Sequence, residues 1–210
     1  MESLALSHMR ETRQSISDDD GELVAQARSG DLAAFERLVR SHQQRMLTIA
    51  CRITGGYEDA CEIVQDAFVA AWRGLGAFRG EARFTTWLTT ITVNLARNRL
   101  DQIRTRRRNE PVSLDEPREN ADGLLPREAV SGAMSVQEEL ERRDVRRHVQ
   151  ACIAELAPGF REVLVLRDME DFSYEEIGTV LRLSGGTVRS RLSRAREAVR
   201  ECLKRVIGVL

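Results

Sequence analysis

The side chains in this chain best equipped to recognise another molecule are guanidinium groups. From Ser184 to Val206 the sequence runs S-G-G-T-V-R-S-R-L-S-R-A-R-E-A-V-R-E-C-L-K-R-V. Each arginine offers two parallel N–H donors, a fork that fits two oxygens of a phosphate or the O6/N7 edge of guanine. Val188, Leu192, Ala195, Val199, Leu203 and Val206 recur at steps of three and four, so a 3.6-residue helix gathers them into one apolar stripe. Arg189, Ser190, Ser193 and Arg194 then lie opposite, and Arg189 to Arg205 contains only Glu197 and Glu201 as acids. A merely solvated helix mixes its signs more evenly, so this face predicts a polyanionic partner.

Two local devices must position that face. Ser173-Tyr174-Glu175-Glu176 predicts a capping box, with the Ser173 hydroxyl bonding forward and Glu176 reaching back. The helix it opens buries Ile177, Val180 and Leu181. Ser184 is the expected N-cap of the arginine helix, and Gly185-Gly186 is expected to permit the sharp turn before it. Two helices joined by about four turn residues form a helix-turn-helix, whose second member enters the major groove of DNA.

A second basic island lies upstream. Trp72 to Arg108 carries nine arginines against Glu81 and Asp101, a net +7, and Arg182 to Arg205 carries eight basic residues against two acids, a net +6. With a whole-chain net charge of -1, the remaining residues hold -14. Two cationic islands in an otherwise acidic chain predict two contacts with one polyanion, since each neutralised phosphate releases counterion. Within the first island Phe78, Phe84 and Trp87 sit beside arginines and offer rings on which unpaired bases stack, each worth about 1–3 kcal/mol. Further upstream, Glu58, Asp59, Glu62, Gln65 and Asp66 line the first turns of a predicted helix. Such acids either complement the helix dipole or form a docking face for a basic partner.

Composition narrows the classes. At 210 residues, with 42% hydrophobic, 31% charged and 5% aromatic residues, the chain suits small helical bundles. Cys51, Cys61, Cys152 and Cys202 form no C-x-x-C pair and no metal-ligand spacing with His8, His42 or His148, so they read as inert thiols of a reduced cytosol. No apolar run approaches the roughly 18 residues of a membrane span, and no secretory leader is evident, which predicts a cytoplasmic protein. A metal-dependent nuclease would need clustered carboxylates, whereas Glu81 and Asp101 are isolated in the basic island. A ligand-sensing regulator would need a pocket at strand ends, and no convincing strand is present.

The expected fold is therefore all-α, with two small helical domains on a flexible linker. Residues 1–20 read as a polar tail, 21–109 as the first domain, 110–136 as a linker with three of the four prolines, and 137–210 as the second domain. Such a linker spans roughly 30 Å as a coil and about 90 Å extended, enough to let the islands engage separate DNA elements.

With these residues in place, the chain resembles bacterial sigma factors of the extracytoplasmic-function group, the smallest members of the sigma-70 family. The resemblance covers Glu22 to Arg108 (region 2) and Val136 to Val206 (region 4). It rests on G-D-L-A-A-F-E-R-L-V near Gly30, E-I-V-Q-D-A-F from Glu62, F-R-G-E-A-R-F-T-T-W-L from Phe78, V-N-L-A-R-N from Val93, L-A-P-G-F-R-E-V from Leu156, S-Y-E-E-I from Ser173 and G-T-V-R-S-R-L-S-R-A-R from Gly186.

The resemblance implies roles for these positions. Glu62, Gln65 and Asp66 would bind the coiled-coil of the polymerase beta-prime subunit, and region 4 the beta flap. Phe78, Phe84, Trp87, Asn94, Arg97 and Asn98 would open and read the minus-ten element, with Asn94 holding a flipped-out base. Thr187, Arg189, Ser190, Arg191, Ser193 and Arg194 would read the minus-thirty-five element. Thr90, often basic in relatives, and Ser193, bulkier in some, depart from the pattern. The implied protein is a specificity subunit without catalytic residues, metal or cofactor, whose partners are core RNA polymerase, promoter DNA and a cognate anti-sigma factor.

Overall fold

The computed structural model describes residues 20–109 and 136–208. Most of the expected tail and linker lies outside the described residues. Eight helices follow in order: α1 over 20–28, α2 Leu32–Thr54, α3 Tyr57–Gly74, α4 Phe84–Asn109, α5 Val136–Glu155, α6 Pro158–Leu164 continuing as a π-helical turn Val165–Met169, α7 Tyr174–Leu181 and α8 Gly185–Leu203. All-α architecture is thus what the apolar periodicity predicts.

Punctuation is local and legible. Gly30 and Gly55 adopt positive φ of 100° and 80°, closing α1 and α2 as only glycine does cheaply. Asp31 caps α2, its carboxylate accepting from the Ala33 and Ala34 amides. Asp20, at the end of the segment read as tail, is the first residue of α1; it is buried, with both carboxylate oxygens 3.0 Å from His42 Nε2.

Helix α4 is more deeply embedded than its modest amphipathicity suggests. Leu88, Val93 and Ala96 are buried, and so are Thr86, Thr89 and Thr92 on a neighbouring face. The threonines survive burial because their hydroxyls find acceptors: Thr92 donates to the Leu88 carbonyl at 3.0 Å and lies 3.2 Å from Met46 Sδ. A buried threonine face leaves the hydrophobic stripe faint while the helix remains central.

The two halves do not stand apart. One continuous apolar core runs from Leu23 and Leu38 through Leu88 and Val93 to Val163, Leu166, Ile177 and Leu192. The helix α5–α8 group packs against α2 and α4, an arrangement that no periodicity in the sequence announces.

One thiol assignment is corrected. Cys152 on α5 and Cys202 on α8 form a disulfide, with Cα atoms 5.7 Å apart and 50 residues between them, while Cys51 and Cys61 are free. Sequence spacing alone gave no such pairing, because the two cysteines meet only after α5 and α8 pack side by side.

Candidate nucleic-acid interface

The outer face of α8 is built as the sequence predicts. Ser184 in extended conformation accepts from the Thr187 amide at 3.3 Å, and its hydroxyl lies 2.9 Å from that of Thr187. Ser173 and Glu176 complete the capping box on α7. The turn between them differs from expectation. Gly185 and Gly186 already belong to α8 and have open space around them. The left-handed residue is Arg182, at φ 56°, and the crowded glycine is Gly178, where a Cβ would stand 2.9 Å from the Leu183 carbonyl oxygen. The motif therefore depends on a glycine one turn inside α7.

Val188, Leu192 and Ala195 anchor α8 in the core, as expected, but Val206 is 50% exposed and Cys202 takes the inward position. Beyond Leu203 the chain continues as a π-helical turn, Lys204–Gly208, whose wider winding shifts the register of the stripe.

The cations of α8 fall into two classes. Arg196 forks onto Asp168 at 2.9 and 2.6 Å, Arg200 pairs with Glu197, and Lys204 with Glu201 at 2.9 Å. The Asp168 bond raises the Arg196 pKa further above its ordinary value. Arg189 and Arg194 are exposed and have no ion-pair partner among the described residues, as are Ser190 and Ser193 beside them. Thr187 is half-buried at the cap, and Arg191 lies against Gly159 of α6, its Nη1 3.0 Å from where a Cβ would sit. The helix has neutralised the arginines at its rear and left the leading face charged.

On α3, Glu62, Gln65 and Asp66 are exposed along one side. Arg99 of α4 lies 2.8 Å from Asp59 and also bonds Glu62, so the face is partly answered from within. Sequence reading missed its apolar part: Leu32, Val69 and Trp72 are 66%, 43% and 37% exposed, with Trp72 ring-stacked on Phe35 at 4.9 Å. Exposed apolar side chains beside acids have the mixture of a protein-binding surface.

Two family models match, Sigma-70 region 2 over residues 38–108 and Sigma-70, region 4 over residues 146–199. The chain is 35% identical over 187 residues to RNA polymerase sigma-H factor of Pseudomonas aeruginosa, covering 89% of this chain and 95% of that protein. The chain belongs to the sigma-70 family, in its extracytoplasmic-function group. It is also 35% identical over 181 residues to ECF RNA polymerase sigma-E factor of Escherichia coli K12, covering 86% and 92% of the two chains. Among solved structures, CnrH in complex with the cytosolic domain of CnrY is similar with a TM-score of 0.63 and 30% identity, over 90% of this chain and 99% of that one.

In this sigma factor the predicted minus-ten residues are not equally available. Phe78, Phe84 and Trp87 form one aromatic cluster, with Phe78 4.9 Å from Trp87 and 6.2 Å from Phe84. Phe84 is buried, packed also on His42 at 5.4 Å, while Phe78 and Trp87 are half-buried. Asn94 and Asn98 are exposed, one turn apart on α4. Arg97 is not free: its Nε and Nη2 donate to Glu162 of α6 at 2.7 and 2.6 Å, and that bond raises its pKa against the opposing effect of burial. Beside the aromatic cluster a cleft of about 300 Å3 opens between α1 and the loop before α4, lined by Asp20, Val24, Arg28, Phe78, Arg79 and Arg83 among others. Arg28 and Asp20 come from a helix that sequence reading gave no part in the site. No helix among the described residues is long and apolar enough to cross a membrane.

Proposed function

We propose that this sigma factor directs core RNA polymerase to promoters through two DNA surfaces and one docking surface, distributed over residues 21–109 and 137–210. Helix α8 reads the minus-thirty-five element through Arg189, Ser190, Ser193 and Arg194, with Thr187 and Arg191 framing the face. One bidentate arginine–guanine contact discriminates by about 1–3 kcal/mol, so two such residues carry most of the readout. The minus-ten element falls to Phe78, Trp87, Asn94, Arg97 and Asn98, with Phe84 supporting the rings from beneath. The cleft lined by Arg28, Arg79 and Phe78 has the charge and the ring surface to hold an extruded nucleotide, and unstacking costs only a few kcal/mol.

Glu62, Gln65 and Asp66, with Leu32, Val69 and Trp72, form the surface for the beta-prime coiled-coil, and region 4 meets the beta flap. The protein works in the cytoplasm as a non-catalytic subunit, and promoter melting draws on binding energy within the holoenzyme. Its control by a cognate anti-sigma factor is supported by the likeness to CnrH, solved with the cytosolic domain of CnrY.

The observation that carries this reading is the sorting of charge on α8, where rear arginines are paired internally and Arg189 and Arg194 are left bare. The test is to mix purified protein with core polymerase and a promoter library and to map transcript starts. Selective initiation on a subset of templates is expected; identical transcripts with and without the protein would refute the assignment.

A further inference from the structure

The contacts between the two halves join residues with opposite roles. Arg97, on the surface assigned to DNA opening, has its Nε and Nη2 donors taken by Glu162, which is only 2% exposed. Glu176 of α7 uses one oxygen for its own helix cap and turns the other to region 2, 3.4 Å from the Thr86 hydroxyl and 3.9 Å from Arg83 Nη1. Arg45 of α2 bonds Glu170 through Nε at 3.0 Å and lies 4.7 Å over the Phe172 ring. Arg161 caps the end of α5 through the Ile153 and Leu156 carbonyls and reaches across to the Ile53 carbonyl at 2.7 Å.

From this geometry we infer that region 4 is itself an occupant of the region 2 DNA surface, its carboxylates standing where phosphates would bind, so that the free sigma factor is closed. This rests on the assignment of Arg97 to the minus-ten element. The Nε/Nη2 edge of a guanidinium is the edge that forks onto a phosphate, so Arg97 cannot hold Glu162 and a DNA strand together through it. The minus-thirty-five face of α8 stays exposed in the same form. Closure therefore gates one DNA contact and not the other. The lock is also releasable: three of its links are ionic, at the edge of an interface, and a buried arginine that loses its carboxylate is relieved by separating the halves rather than by unfolding either.

The experiment compares the full native chain with two charge-matched variants: Glu162→Gln, Glu170→Gln, Glu176→Gln together, and Glu36→Gln, Glu58→Gln, Glu197→Gln together, which lie outside the lock. Glutamine preserves the cap made by Glu176. Small-angle scattering should show a larger radius of gyration for the lock variant alone. Its affinity for a random-sequence single-stranded oligonucleotide should rise roughly tenfold, because the apparent constant is reduced by the fraction of open molecules, while the control rises little. Equal scattering from all three proteins, or an equal gain in the control, overturns the inference. Should circular dichroism show the lock variant unfolded, Arg45→Gln, outside the DNA assignments, decides: it must by itself shift scattering toward the open form, and unchanged scattering rejects closure. Selective transcription by the native holoenzyme is unaffected by either result, so the sigma assignment stands or falls separately.

Discussion

The sequence gives the two halves nearly equal positive charge, +7 over Trp72 to Arg108 and +6 over Arg182 to Arg205, yet the fold treats them differently. In region 4, Arg189 and Arg194 project into solvent without an acid nearby. In region 2, Arg97 is forked onto Glu162 and Arg99 is shared by Asp59 and Glu62. Net charge along a chain thus reports where a polyanion can bind only after the internal pairings are subtracted. The thiols divide the same way, with a disulfide in region 4 and two free cysteines in region 2.

The contrast is broken most directly by removing charge from both sides. Arg189→Ala with Arg194→Ala should cost about 2–6 kcal/mol of promoter binding, measured by anisotropy on duplexes carrying the minus-thirty-five element. Arg97→Ala should leave that duplex binding by the free protein nearly unchanged; a comparable loss would show the two surfaces to be equally open.

The next effect concerns the disulfide. Reduction, or Cys202→Ser, should destabilise region 4 by about 2–4 kcal/mol in thermal melts, on the chain-entropy argument for a closed loop of that length. Region 2, lacking a crosslink, should be indifferent to reductant.

Charge reversal at Glu62 and Asp66 should weaken core polymerase binding by about 1–3 kcal/mol in a pull-down titration, with the helical dichroism unchanged. Normal binding would reject the docking face.

Smaller still is the loss of one cap: Ser173→Ala should lower region 4 stability by about 1 kcal/mol, readable as a shift in the urea midpoint.

The last prediction is chemical. Burial pushes the Cys51 thiol up to about 12. A raised folded pKa favours the protonated form, so this contribution to stability is present below the ordinary thiol range and is lost as pH rises toward that value. At pH 8 the thiolate fraction is about 10⁻⁴. Iodoacetamide should therefore label exposed Cys61 and spare Cys51 until urea is added, as mass spectrometry would report.

Much of this protein was legible from its residues. Capping by Asp31, Ser173 and Ser184, the glycine stops at Gly30 and Gly55, and the Val188–Leu192–Ala195 stripe are encoded within one or two turns of chain, because helix ends and apolar periodicity are local matters. The arginine face of α8 follows from the same periodicity. The buried threonines of α4 blurred that signal, and the π-helical turn after Leu203 displaced Val206 from its stripe.

What only the tertiary structure decided are the relations between distant residues. Whether Arg97 meets a phosphate or Glu162, whether Cys152 finds Cys202, and whether Arg28 shares a cleft with Phe78 depend on helices that meet 65, 50 and a similar number of positions apart. An apolar stripe states that a helix will be covered but not by which partner. The side chains that flank the stripe acquire their ion pairs from whichever helix arrives.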